Sequence, residues 1–166
     1  MRCLAIAVSL VGIHVAAAEP TRSPAGRAVD DTPEALRLIR TADQVRLFRV
    51  TVTANRQGEV TPHGDYKHAR AIDTEARRTL GRVLGRYSSW CHCFDHTVGV
   101  GPEPNYVGFI FEKGKDKLVL LRFLRWHTTG TFNGQRTGGS LEEKGSDKLD
   151  AWEKRYARPE RGLNEI

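Results

Sequence analysis

At 166 residues the chain has room for one domain with a proper core and is too short for two without special help. Its 26 lysines and arginines outnumber its 20 aspartates and glutamates. That balance bears on solubility and on anionic partners but says nothing about fold.

The first twenty residues, MRCLAIAVSLVGIHVAAAEP, carry a basic residue at Arg2, an apolar run from Leu4 to about Ala18, and small residues at Ala16 and Ala18 before Glu19. This is the pattern of a secretory signal peptide cut after Ala18. The run is too short and too poorly flanked for a membrane-spanning helix, which takes about 20 apolar residues. The expected product is therefore secreted or periplasmic, with no transmembrane segment after cleavage. Cys3 would leave with the signal, so the mature chain would keep only Cys91 and Cys93 and carry them into an oxidising compartment. Residues 19–33 read as a flexible leader and 34–166 as a single α+β domain.

Within that domain Asp31 or Thr32 can cap a short helix begun by Pro33, with Ala35, Leu36, Leu38 and Ile39 on its apolar side. VRLFRVTVT (45–53) reads as a strand, and ANRQGEVTPHGD (54–65) as a loop broken by Gly58, Pro62 and Gly64. A helix over 74–85 is capped by Asp73. Ala76, Leu80, Val83 and Leu84 form its apolar stripe, and Arg78, Arg82 and Arg86 a second row. A β-meander follows: a short strand at 97–101, a strong one at 105–112, a polar turn at 114–117, and a strand at 118–126 that reads as covered because Leu118 to Leu124 is apolar apart from Arg122. An edge strand at 128–134 and a glycine-rich turn, QRTGGS, come next. A helix from about Ser146 to Arg158, lined by Leu149, Trp152 and Tyr156, closes the chain at Pro159. Hairpin-connected strands without repeated strand-helix-strand units predict an α+β fold, an antiparallel meander packed on the amphipathic helix with a C-terminal helix beside it.

The densest chemistry is WCHCFDH, residues 90 to 96. Cys91, Cys93, His92 and His96 are candidate zinc ligands by type, but C-x-C closes the turn too tightly for the usual C-x2-4-C geometry. A Cys91–Cys93 disulfide would be strained and therefore easily exchanged, which makes the pair a candidate redox site. The bland alternative is a structural junction in which Trp90 and Phe94 enter the core. For acid-base chemistry His127 is the first candidate, with His63 and His68 after it. The basic residues at 78, 82 and 86, and Lys148, Lys154, Arg155, Arg158 and Arg161 near the C-terminus, could neutralise phosphates. Acidic neighbours and the absence of a recognition motif favour a solvated surface instead, and nucleic acid is not the expected partner. No G-x-S-x-G, H-E-x-x-H or phosphate-binding glycine loop occurs, and no cofactor is expected.

From Asp73 to Pro159 the chain resembles a loose group of small exported bacterial proteins to which no function is assigned. The likeness rests on a helix such as DTEARRTLGRVLG, a Cys-Phe segment at Cys93 and Phe94, a hairpin such as YVGFIFEKGKDKLVLLRFL, and a closing amphipathic helix. Members tend to carry further cysteines in the second hairpin strand, where this chain has RFLRW. The resemblance implies no activity. Taken together, these features predict a small exported non-catalytic binding or envelope-associated module. Its partner would be a protein or an anionic envelope component. The competing classes are a nuclease-like secreted hydrolase using His127 and a thiol-disulfide protein using Cys91 and Cys93.

Overall fold

A computed structural model describes residues 27–29, 32–54, 60–91 and 106–157. In chain order these form β1 (Arg27–Ala28), α1 (Pro33–Thr41), β2 (Gln44–Ala54), β3 (Val60–Gly64), β4 (Arg70–Ala71), α2 (Thr74–Leu84), β5 (Trp90–Cys91), β6 (Tyr106–Lys113), β7 (Asp116–Arg122), β8 (His127–Phe132), β9 (Gln135–Leu141) and α3 (Glu143–Trp152). Alpha3 continues as a π-helical turn over Glu153–Ala157. The strands make one sheet in the order β1-β9-β8-β7-β6-β2-β3, with β4 also on β2 and β5 also on β9. All pairings are antiparallel except β1 with β9. The fold is α+β, as the alternation of the strands and the absence of repeated strand-helix-strand units predict.

Period-two alternation sorts the sheet into two faces. Val45 and Leu47 of β2, Phe109 and Phe111 of β6, and Leu118 and Leu120 of β7 meet Leu36 and Ile39 of α1, Leu80 and Leu84 of α2, and Leu149 and Trp152 of α3 in the main core. The intervening Phe48, Val50, Ile110 and Leu121 make a smaller cluster on the other side. There the ring of Tyr66, in a 3-10 turn, lies 4.7 Å from that of Phe48. The sheet is thus covered on the helix side and partly covered behind.

The ends of α2 follow from its caps. Asp73 Oδ1 accepts from the Ala76 amide at 2.8 Å and starts α2. At the other end of α2 Ser89 Oγ donates to the Val83 carbonyl at 2.6 Å and Trp90 Nε1 donates to that of Leu84 at 2.8 Å. Those bonds satisfy carbonyls the helix itself leaves open and fix Trp90 in the core. Trp90 and Cys91 of WCHCFDH are extended; His92, Cys93, Phe94, Asp95 and His96, and the strand expected at 97–101, lie outside the described residues.

Three expectations about the strands need correction. The loop at 54–65 contains β3, because an edge strand tolerates Pro62, whose missing N–H removes no interior ladder bond. QRTGGS is not a turn but most of β9, and the strand before it is interior, flanked by β7 and β9. The turn falls instead at Asn133 and Gly134, whose φ values of +48° and +82° match the left-handed pair of a two-residue hairpin. The strand glycines serve close packing: a Cβ at Gly130 would stand 1.8 Å from the Val119 carbonyl oxygen. The closing helix also begins three residues earlier than expected, at Glu143, with Gly145 against the Ser89 backbone.

Candidate functional site

On the helix side of the sheet one register step changes the chemistry. Leu47 and Phe109 are cross-strand partners, and the next pair inward-facing on the same strands is Arg49 and Val107. On β7 the sequence Leu118, Leu120, Arg122 makes the same change, since residues two apart share a face. Where the apolar rows end, a cleft of about 870 Å³ opens between this end of the sheet and the end of α3. That volume lies within the range of small-ligand sites, about 300–1,000 Å³.

Arg122 forms the base of the cleft wall and is 2% exposed. Its Nη1 donates to Glu153 at 2.8 Å and its Nη2 to Asp150 at 2.5 Å. Nε and Nη2 both reach the Arg125 carbonyl, at 3.1 and 2.6 Å, and Nη2 also lies 3.2 Å from Ser146 Oγ. Burial pushes the guanidinium pKa down, but the charge of Glu153 and the hydrogen bonds to Asp150 and Glu153 outweigh it and leave the pKa above its ordinary value. Arg125 adds bonds to Asp150 at 3.3 Å and Asp147 at 2.7 Å. The two carboxylates lining the cleft are therefore already neutralised.

The remaining cations are not. Arg49 and Lys154 line the cleft and have no ion-pair partner among the described residues. Arg70, opposite Leu47 on β4, donates to the carbonyls of Tyr156 and Ala157 at 3.3 and 3.1 Å, where the end of the helical segment presents negative dipole. In all, five permanent cations face two carboxylates across the cleft lining. Its potential is positive, and its low-dielectric walls focus that potential on whatever enters.

The candidate histidines separate. His68 lines the cleft, and its Nδ1 lies 2.8 Å from Asp65 Oδ2; this hydrogen bond holds the Asp65 carboxyl below its ordinary range. A carboxylate on Nδ1 orients an imidazole and leaves Nε2 for proton transfer. His63, on the edge strand β3, meets Thr53 Oγ1 at 3.0 Å. His127, on β8, has its Nδ1 2.9 Å from Ser140 Oγ and stacks on Phe123 with centroids 6.0 Å apart. Beta7, β6 and β2 lie between the strands of His127 and His63. Cys91 is half-buried on β5 and faces Ser140, itself the cross-strand partner of His127, so these three residues form a row across β5, β9 and β8. Among the described residues no group of three or more His, Cys, Asp or Glu is arranged to hold a metal ion.

Sequence reading missed Arg49, Arg70 and Arg125. The signal for Arg49 was present: in Leu47-Phe48-Arg49 the period of two puts the arginine on the face of the core leucine. For Arg70 and Arg125 it was absent, because their partners are 86 and 25 residues away. No helix among the described residues is long and apolar enough to cross a membrane. Comparison with family models, curated proteins and solved structures finds no match.

Proposed function

We propose that this chain is a small exported binding module, without catalysis of its own, whose cleft takes an anionic ligand that has an apolar part. The observation that carries this reading is the switch from Leu47, Phe109 and Leu120 to Arg49, Val107 and Arg122 at the mouth of the cleft. Arg49 and Lys154 supply uncompensated positive charge, while Leu47, Val107 and Ala157 offer apolar wall. An anionic component of the envelope fits both. The test is titration calorimetry with dodecyl phosphate and with dodecanol. The phosphate ester binds and the neutral alcohol does not. Arg49→Gln and Lys154→Gln each weaken binding by about tenfold, the scale of one charge-assisted hydrogen bond. Unchanged affinity in the double variant sinks the proposal.

A nuclease-like hydrolase is the second reading, and the cleft favours His68 over His127 as its centre. Only His68 among the three histidines stands in the cationic cleft, and Asp65 orients it. Turnover of an oligoribonucleotide that is lost in His68→Gln, with ligand affinity retained, supports this version. No turnover by the wild type ends it.

A further inference from the structure

A second basic surface lies away from the cleft, on the outer face of α1, α2 and the turn after α2. Arg37, Arg40, Arg78, Arg82 and Arg86 are all exposed there. The two helices approach closely because Gly81 and Gly85 carry no side chains. A Cβ at Gly81 would stand 3.1 Å from the Ile39 carbonyl oxygen, and one at Gly85 would collide with Arg40 Cγ at 2.3 Å. Arg40 lies across Gly85 and donates to its carbonyl at 3.3 Å, which brings the arginines of α1 beside Arg86. Residues four apart on α2 put Arg78 and Arg82 on one face of that helix, and Arg86 follows just past its Gly85 cap. Two rows thereby merge into one patch.

The patch differs from the cleft in its balance. Among the described residues none of its five arginines forms an ion pair. Of the two carboxylates on these helices, Glu75 is held by Arg155 at 3.3 Å and by the Tyr156 hydroxyl at 2.9 Å, which leaves Glu34. Like charges packed this closely repel, and an anionic partner relieves that repulsion. Tyr87, 57% exposed, follows Arg86 directly, and tyrosine is enriched where protein meets lipid headgroups. No Asn or Gln occurs in α1 or α2, so the face lacks the amides that read adenine edges.

We infer that this face docks on an anionic phospholipid surface. The occupant is a bilayer, because the face joins unpaired cations to an exposed aromatic of the kind that sits at headgroup level. Each arginine held near such a surface strengthens partitioning by about fivefold.

The experiment is co-sedimentation of the chain, as processed by an exporting host, with phosphatidylcholine vesicles with and without phosphatidylglycerol, at low and high salt. The wild type sediments with the phosphatidylglycerol vesicles only, and salt releases it. Arg78→Gln, Arg82→Gln and Arg86→Gln together lower the partition coefficient by about a hundredfold. A separate Arg37→Gln, Arg40→Gln variant lowers it by about twenty-fivefold, so the test survives misfolding of either protein. Equal binding to neutral vesicles, unaltered partitioning of the folded triple variant, or tighter binding to random-sequence duplex DNA than to vesicles overturns the inference.

Discussion

Arg122 is the residue on which the cleft wall depends. It places a permanent charge among buried groups, and its two carboxylates, the Arg125 carbonyl and Ser146 Oγ satisfy it. Removing one partner of such a set costs more than never having built it, because the others stay desolvated and unpaired. Arg122→Met should therefore destabilise the fold by about 3–5 kcal/mol, read as a fall in the urea midpoint. Adding Asp150→Asn and Glu153→Gln should recover a large part of that loss, since the stranded charges go with the arginine. If the single variant unfolds like the wild type, the network is not holding α3. In sequence Arg122 showed only as an interruption of an apolar strand; its partners, 28 and 31 residues on, could not be read from that interruption.

At the scale of elements, α3 is fixed to the start of α2. Trp152 Nε1 donates to the Ala76 carbonyl at 3.0 Å, and the Tyr156 hydroxyl donates to Glu75 Oε1 at 2.9 Å. The bond to Glu75 keeps the phenol protonated and raises its pKa above the ordinary value. A raised folded-state pKa means that the contribution is complete below the unfolded value, about 10 for tyrosine, and is lost as pH rises through the folded value. Burial also pushes the Tyr66 phenol up, so ultraviolet titration should show two late-ionising tyrosines, and Tyr156→Phe should remove one of them. A late step of undiminished amplitude in the variant would assign it elsewhere. The elements themselves divide by legibility. Alpha1, α2, β2 and β6 carry local signals in caps and apolar periodicity, and they were readable. Beta9 was not, because its glycines look like a turn until β8 and Trp90 are packed against them.

For the whole molecule, the export reading makes a direct prediction about mass. Protein recovered outside the cytoplasm should begin at Glu19, and intact mass should fall by residues 1–18. Alkylation of that material without reduction should add nothing if Cys91 and Cys93 are bridged, and two adducts if they are not. Recovery of uncleaved chain would remove the compartment on which the cysteine argument rests.

The sequence by itself determined the fold class, the Asp73 cap of α2, the two faces of the strands and the excess of positive charge, because each follows from composition or from spacing over a few residues. Only tertiary structure decided where that charge acts. Arg49, Arg70, Arg122 and Lys154 come from four separate segments, and the sheet register that gathers them at one cleft is set by contacts no local pattern encodes. The same long-range packing set His68 apart from His127 and turned a glycine-rich run into an interior strand.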